Sequence, residues 1–166
     1  RMLLCGQQAL QHQYGLNWNQ LIPSTLYGPK FELSDSHFIF DLIKKIHHGS
    51  KTGETVRLWG DGYQVRELVY VQDALRLIDL AVDTCENQLL NVGSGEGHTI
   101  REFAATVAQI LNYDPNNILY DVNAFTGVRK KVLNTQKIHR LAPDFQFTSL
   151  LEGLSVTIAD YLERIS

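Results

Sequence analysis

The chain has 166 residues, 44% of them hydrophobic and 20% charged, and its net charge is −3. These values predict one ordinary globular domain, or two small lobes, and exclude a disordered or fibrous chain. Without a basic excess the chain is not expected to bind nucleic acid, and without an apolar run of about 18 residues it is not expected to span a membrane.

The first half of the chain predicts helices and short strands in alternation. The expected elements are a helix over residues 1–14, a strand over 18–22, a helix from 38 to 49, and strands over 55–59 and 66–71. The first helix has no capping residue before its apolar pattern. We therefore expect either that the chain was cut from a longer protein or that a cloning remnant precedes Met2.

The second half continues the alternation and carries two helix-start signals. The expected elements are a helix capped by Asp73, a strand over 89–92, a helix from Thr99, a strand over 118–122, a polar loop over 123–131, and a helix from Ser149. Thr99 and Ser149 are each followed three residues later by a glutamate, which is the spacing of a capping box. This alternation predicts a mixed α/β fold with parallel strand pairs.

Residues 59–73 are the most informative stretch, because they place one cation on a strand beside a tight turn. A Gly-Asp-Gly turn at 60–62 leads into an apolar strand that carries Arg66. A guanidinium group contacts two phosphate oxygens at once, so Arg66 is a candidate for binding a diphosphate. Trp59, just before the turn, either fills the core, which is the more common role, or stacks on a base or sugar.

One histidine and several other cations are weaker candidates for the same chemistry. His37 lies in the first turn of a predicted helix, where an imidazole could exchange a proton near neutral pH. An exposed histidine without a catalytic role is the alternative. The remaining candidates for a diphosphate pocket are each more typical of a solvated surface, namely Lys44, Lys45, Arg129, Lys130 and Lys131.

A glycine run at Gly93, Gly95 and Gly97 follows a predicted strand and precedes a helix, as a dinucleotide-binding loop does. The spacing differs from Gly-x-Gly-x-x-Gly, because His98 stands where the last glycine is needed. We interpret the run as a turn between strand and helix and not as the cofactor site.

The histidines and cysteines do not predict a metal site. Adjacent His47 and His48 on a helix would point about 100° apart, and the other histidines have no carboxylate or cysteine at ligand spacing. Cys5 and Cys85 are too few and too far apart for a disulfide framework. A reducing, cytoplasmic compartment is therefore expected.

Six segments carry a family resemblance. They are Gln-Tyr-Gly at 13–15, Ile-Pro-Ser-Thr-Leu-Tyr-Gly-Pro at 22–29, Ser-Asp-Ser-His at 34–37, Leu-Trp-Gly-Asp-Gly-Tyr-Gln-Val-Arg-Glu-Leu-Val-Tyr-Val-Gln-Asp at 58–73, Asn-Val-Gly-Ser-Gly at 91–95 and Arg-Lys-Lys-Val-Leu-Asn at 129–134. In this order they resemble the C-terminal half of the GDP-L-fucose synthases, which are extended short-chain dehydrogenases/reductases. Several of these segments are shared with other nucleotide-sugar epimerases and dehydratases, whereas Ser-x-Ser-His, Trp-Gly and Arg-Lys point more narrowly to the fucose synthases.

The resemblance implies the C-terminal part of an extended Rossmann-type fold, with the last parallel strands and a mixed α/β substrate-binding lobe. Residues 1–28 and 66–95 would belong to the Rossmann domain, and residues 29–65 and 96–166 to the lobe. The resemblance also implies a homodimer formed through the helix that contains residues 1–14.

The family's reaction converts GDP-4-keto-6-deoxy-mannose to GDP-L-fucose, by epimerisation at two carbons and hydride transfer from NADPH, without a metal. By resemblance, His37 matches the acid/base histidine of the epimerisation. The segment Pro23, Ser24, Thr25 and Leu26 would line the nicotinamide side of NADP. The residues that would bind the GDP-sugar substrate are Lys45, Trp59, Arg66 and Arg129.

Thr25, Lys45 and Asn134 differ from the asparagine, arginine and aspartate that are common in the family, so the sugar specificity stays open. The family's glycine-rich loop, catalytic serine, epimerisation cysteine and Tyr-x-x-x-Lys pair would lie before Arg1. We therefore expect the chain to be inactive alone. Two other functions stay open, namely another NDP-sugar 4-epimerase or 4,6-dehydratase, and a non-catalytic nucleotide-sugar-binding or assembly module.

Overall fold

The computed structural model describes residues 2–34 and 36–166, so that Arg1 and Asp35, the latter within the Ser-Asp-Ser-His segment, lie outside the described residues. The helices are α1 (Met2–Tyr14), α2 (Phe38–Thr52), α3 (Val71–Thr84), α4 (Ile100–Ile110), α5 (Gln136–Leu141) and α6 (Leu150–Ile165), with a 3₁₀ turn at Pro115–Asn117. The strands are β1 (Asn19–Pro23), β2 (Thr25–Tyr27), β3 (Val56–Trp59), β4 (Val65–Arg66), β5 (Leu68–Tyr70), β6 (Gln88–Val92), β7 (His98–Thr99), β8 (Ile118–Asp121) and β9 (Lys130–Lys131).

Four strand pairs of the described residues are parallel, three of them longer than two residues, which confirms the predicted mixed α/β fold. β1 pairs with β6, β2 pairs with β5, and β3 pairs with β8. Parallel strands cannot be joined by a hairpin, so the two strands of each pair are separated in the chain by other elements, and α3 lies between β5 and β6. The chain therefore needs its helices on the faces of these pairs to cover apolar strand residues.

The buried apolar side chains form two clusters. The larger cluster joins helices α2, α4 and α6 to strands β3 and β8, and its fully buried members include Ile43, Phe103 and Leu154. The smaller cluster packs α3 against β5 and β6, with Leu77 and Val92 at its centre. It also takes in residues of α5, which the predicted division assigns to the lobe, and that division stays a prediction.

A short three-stranded arrangement brings together distant parts of the chain. β4 pairs antiparallel with β7, so that Arg66 lies opposite His98. On its other side β4 pairs in parallel with β9, so that Arg66 lies opposite Lys131. The prediction of a loop over 123–131 is therefore wrong for the last two residues, which gain a partner strand that sequence pattern does not identify.

Helix α2 is longer than predicted, because Gly49 lies inside it and does not end it. A side chain at Gly49 would lie 2.9 Å from Val56 and 3.1 Å from the Tyr113 ring, so this glycine permits close packing of strand β3. The helix ends instead at Gly53, whose backbone is left-handed with φ 76° and whose N–H is bonded to the Gly49 carbonyl.

The prediction that Asp73 caps a helix is wrong. Helix α3 begins at Val71 with Tyr70 as its N-cap residue, so Asp73 lies inside the first turn. Its buried carboxylate accepts hydrogen bonds from the Thr148 backbone N–H at 2.7 Å and from the Thr148 hydroxyl at 2.9 Å. Asp73 therefore fixes a distant segment and not the start of its own helix.

The predicted capping box at Thr99 and Glu102 is confirmed with both of its hydrogen bonds. Ser149 accepts a hydrogen bond from the Glu152 backbone N–H at the start of α6. The six-residue helix α5 was not predicted, because its single buried residue, Ile138, gives no periodicity. None of the described helices is both long and apolar enough to cross a membrane.

Candidate functional site

The Gly-Asp-Gly turn sets the position of Arg66. Gly60 and Gly62 both have positive φ, at 80° and 75°, which glycine adopts without strain. A side chain at Gly62 would lie 2.5 Å from the Tyr120 ring, so the turn packs directly on β8. Arg66 follows in β4, half-buried, and its Nη1 donates to the carbonyl oxygen of Val65 at 2.8 Å.

Arg129 lies on the segment beside Arg66. The Val65 backbone N–H donates to the Arg129 carbonyl at 2.8 Å, which begins the β4–β9 pairing. The Arg129 guanidinium donates to Oδ2 of Asp61 in the glycine turn at 2.9 Å. A hydrogen bond from the Tyr63 backbone N–H, and next the contact with Arg129, lower the pKa of Asp61. The turn and the 129–131 segment therefore bring several cations to one place.

Lys45 and Trp59 share a cavity of about 190 Å³. Its other walls are Phe38, Asp41, Leu42, Leu58 and Ile100. The Lys45 ammonium contacts Oδ2 of Asp41, one helical turn earlier, at 2.8 Å. Trp59 is 69% exposed, so the expectation that it fills the core is wrong. Trp59 is the last residue of β3. Val56 and Leu58 of this strand are buried in the larger cluster, whereas Trp59 lies on the opposite, exposed face.

His37 is the residue before helix α2, and its backbone carbonyl accepts the first helical bond, from the N–H of Asp41. The imidazole packs on the rings of Phe38 and Phe40, with centroid distances of 5.1 and 6.2 Å. Phe38 also lines the cavity of Lys45 and Trp59. The histidine is thus one residue away from that cavity.

A series of ring contacts leads from His37 toward Arg66. The Phe38 ring contacts the Phe103 ring at 5.5 Å, and the Phe103 ring contacts the His98 ring at 5.7 Å. His98 is the strand partner of Arg66. Because Phe103 is fully buried, this connection is part of the packed core and holds the two ends in a fixed relation.

The predicted nicotinamide segment lines a second cleft of about 260 Å³. Pro23, Ser24 and Thr25 face Lys131, Val132 and Leu133 across it. The Ser24 backbone N–H donates to the Val92 carbonyl at 2.9 Å, and its hydroxyl donates to the Glu67 carbonyl at 3.2 Å. Leu26 lies on the next strand and is 39% exposed. Lys131 connects this cleft to Arg66, its partner across β4 and β9.

Glu67 is a functional candidate that the sequence reasoning missed. It is 2% exposed, and its two carboxylate oxygens accept hydrogen bonds from the backbone N–H groups of Gly95 at 2.9 Å and Leu133 at 2.7 Å. A side chain at Gly93 would collide with this carboxylate. The glycine run therefore makes room for Glu67. The available signal was a glutamate within an apolar strand, next to Arg66.

Arg101 was also missed. Its side chain contacts the Gly-Asp-Gly turn at 60–62. Its guanidinium lies 3.9 Å from the Tyr120 ring centroid and 4.7 Å from that of Tyr63. Its Nε donates to the Asp61 carbonyl oxygen at 2.8 Å. Such cation–ring stacking is not visible in sequence, because the three residues come from separate elements.

Residues 5–93, more than half of the chain, match the model of the NAD dependent epimerase/dehydratase family. The chain belongs to this family. It is 30% identical to the GDP-L-fucose synthase of Escherichia coli (strain K12) over an alignment of 170 positions, which covers 95% of this chain and 52% of the E. coli protein. It is 37% identical to the GDP-L-colitose synthase of Yersinia pseudotuberculosis over 151 residues, with 86% of this chain and 47% of that protein covered.

A solved structure of the family gives the same fold. The UDP-glucose 4-epimerase of Thermotoga maritima, determined with UDP-glucose, superposes with a TM-score of 0.84 and 26% identity, over 99% of this chain and 52% of the epimerase. The chain thus spans about half the length of the relatives that it matches. The predicted family resemblance and fold class are confirmed, while the roles of the individual site residues stay predictions.

Proposed function

We propose that the chain supplies the substrate-binding part of a nucleotide-sugar epimerase/reductase, acting on a GDP-linked 4-keto sugar with NADPH. The observation that carries this proposal is the β4–β9 pairing, which places the segment of Arg129 beside the strand of Arg66. Two guanidinium groups from residues far apart in sequence are suited to a diphosphate, which carries two neighbouring negative groups. Both named sequence relatives act on GDP-sugars according to their names.

The remaining predicted residues take complementary roles around the diphosphate. Trp59 offers an exposed indole face on which a flat base stacks. Lys45, in the same cavity, has an ammonium group with three donors, so that it can contact a phosphate while it stays paired with Asp41. His37 transfers protons at the carbons beside the ketone, a step that needs a group with a pKa near neutrality.

NADPH would supply the hydride that reduces the ketone. The cleft lined by Pro23, Ser24 and Thr25 fits the nicotinamide side, since its walls are small or apolar and Lys131 adds one charge. In this proposal Ser24 keeps the wall in place through its two hydrogen bonds, and Leu26 continues the wall along β2. The nucleotide half of NADPH would be held by residues that correspond to the other half of the relatives.

A titration of the purified chain with GDP tests the binding site. We expect saturable binding, and Arg66→Ala should weaken it by about tenfold or more, because a charge-assisted hydrogen bond is lost. Arg140→Ala, an exposed arginine on α5, is the matched control and should bind GDP like the original chain. Absence of binding, or equal affinity in Arg66→Ala, would contradict the proposal.

A chimera tests the reaction. Joined to the N-terminal half of the E. coli relative, the chain should oxidise NADPH in the presence of GDP-4-keto-6-deoxy-mannose. His37→Asn should slow the epimerisation by at least about a hundredfold, as expected for loss of a general acid/base. His48→Asn, a change on α2 of a side chain that is 67% exposed, should leave the rate of epimerisation unchanged. A chimera that folds and binds GDP but shows no turnover would contradict the assigned reaction.

The homodimer expected through α1 is part of the proposal. No residue of this helix is buried, and Met2, Leu3 and Leu10 expose apolar side chains on it. Such a surface is suited to packing against another helix. Leu10→Arg should shift the sedimentation of the protein from dimer to monomer, and a monomeric original chain would rule out this assembly.

A UDP-sugar is the second candidate substrate, because of the likeness to the Thermotoga maritima epimerase. The two candidates differ in the base and share the diphosphate. Competition between GDP and UDP on the same sample separates them, and we expect GDP to bind more tightly.

A further inference from the structure

We propose that Asp41 selects the base of the nucleotide, and that it selects guanine. This inference rests on the proposed function, because it assigns the base of the nucleotide whose diphosphate contacts Arg66. It names a residue that was not among the predicted site residues and that is not required for binding a diphosphate.

Asp41 lies on the face of α2 that forms one wall of the 190 Å³ cavity. Phe38, Asp41, Leu42 and Lys45 recur at the three- and four-residue spacing of one helix face, and all four line the cavity. Trp59, the last residue of β3, lines the same cavity. In the proposed complex a flat ring stacks on the Trp59 indole in this cavity and directs its edge to the Asp41 carboxylate.

Lys45 holds the Asp41 carboxylate in place but does not occupy all of the positions at which this carboxylate can accept a hydrogen bond. The ammonium contacts Oδ2 at 2.8 Å, and both side chains are about half exposed, at 43% and 45%. A carboxylate has two oxygens with roughly four acceptor positions. One carboxylate edge therefore remains able to accept hydrogen bonds from a ligand while the ion pair persists.

Guanine is the base whose edge matches a carboxylate. Its ring N1–H and its exocyclic amino group are adjacent donors, as in the paired donors of a guanidinium group. Uracil has one ring N–H between two carbonyl oxygens, and adenine has an acceptor nitrogen beside its amino group. Uracil and adenine would therefore each place a lone pair against the carboxylate, which can only accept hydrogen bonds. This repulsion disfavours the binding of both bases.

Binding of GDP, inosine diphosphate and xanthosine diphosphate to the chain and to Asp41→Asn tests the inference. Inosine diphosphate lacks the exocyclic amino group, so the original chain should bind GDP about tenfold more tightly or better. Asp41→Asn should bring GDP and inosine diphosphate to within about twofold of each other. The asparagine amide can donate to the second carbonyl of xanthine, so this variant should also gain affinity for xanthosine diphosphate.

The ratio of two affinities on one sample is independent of phosphate contacts and of the fraction of folded protein. Asp79→Asn, an exposed aspartate on α3, is the control for the change of charge and should keep the original ratio. An unchanged ratio in Asp41→Asn, together with normal GDP binding, would overturn this inference and leave the proposed function intact. Failure of all three nucleotides to bind would overturn both.

Discussion

Glu67 shows how a single buried side chain organises the neighbourhood of Arg66. It follows Arg66 directly, and its carboxylate bonds to the glycine turn after β6 and to the segment after β9. Three segments far apart in sequence therefore meet at one carboxylate. Because this group is buried, each of its hydrogen bonds is costly to lose without replacement.

Replacing Glu67 should test this organising role. Glu67→Gln keeps the shape but points an amide N–H₂ group at one backbone N–H, either that of Gly95 or that of Leu133. We expect a loss of about 2–4 kcal/mol in the free energy of unfolding, measured by urea denaturation. Glu86→Gln, on an exposed glutamate, should change it little. An equal, small effect in both variants would show that the buried carboxylate is not needed.

Trp59 is exposed, so its loss should separate binding from stability. Trp59→Ala removes the proposed stacking face, and base–aromatic stacking contributes about 1–3 kcal/mol. We expect weaker GDP binding in isothermal titration and an almost unchanged free energy of unfolding. Tyr14→Ala, which removes another exposed ring, should leave the affinity unchanged. Unaltered GDP affinity in Trp59→Ala would exclude stacking.

At the scale of elements, the start of α4 is defined by Thr99 and Glu102. The Glu102 backbone N–H donates to the Thr99 hydroxyl, and the Thr99 backbone N–H donates to the Glu102 carboxylate at 2.6 Å. Two hydrogen bonds to its carboxylate lower the pKa of Glu102. The larger effect comes from the Thr99 backbone N–H and the smaller from the Thr99 hydroxyl. The folded protein therefore holds a proton on this group less tightly than the unfolded chain does.

The sign of the resulting pH dependence follows from this shift. Glu102 stabilises the fold above its ordinary pKa of 4.5, and the contribution fades as the pH falls through the lowered value. We expect Glu102→Gln to reduce the free energy of unfolding at pH 7 and to have a smaller effect at about pH 3. Urea denaturation at both pH values measures this. An effect that is the same at both pH values would exclude the charged capping box.

Elements with a local signal were predictable from sequence. Thr99 was placed correctly because a capping box depends only on residues three apart. Asp73 was misplaced, since the same aspartate could cap a helix or accept from a segment 75 residues away, and only the fold decides. Helix α5 was missed because a single buried Ile138 leaves no pattern to detect.

At the scale of the molecule, Asp73 joins the two apolar clusters. It lies in α3, which packs in the smaller cluster, and it bonds to Thr148, two residues before α6 of the larger cluster. Arg76 contacts the same carboxylate and lies 4.6 Å from the Phe145 ring centroid. This buried bridge ties α3 to the segment that leads into α6.

Removing the charge of Asp73 should loosen that connection. Asp73→Asn cannot accept through both oxygens, so we expect a loss of about 2–4 kcal/mol in the free energy of unfolding. Amide hydrogen exchange at Thr148 should become faster than in the original chain. Asp83→Asn, an exposed aspartate near the end of the same helix, is the control. Unchanged exchange at Thr148 would show that the bridge does not hold this segment.

The candidate site was predictable only in part. Arg66 and Trp59 could be selected from the turn and strand that carry them, because these are local features. Their neighbours could not, since the pairing of β4 with β9 depends on residues more than 60 positions apart. Glu67 and Arg101 could not be predicted as site residues for the same reason, because their partners come from other elements.

A crystal structure of the chain with GDP tests the central claim most directly. The diphosphate should lie within hydrogen-bonding distance, about 3 Å, of the Arg66 guanidinium, with the base against Trp59 and its edge toward Asp41. In solution, UDP should displace bound GDP only at a concentration much higher than that of GDP, which would agree with this placement. A diphosphate bound elsewhere, with Arg66 and Trp59 facing solvent, would contradict the proposed site.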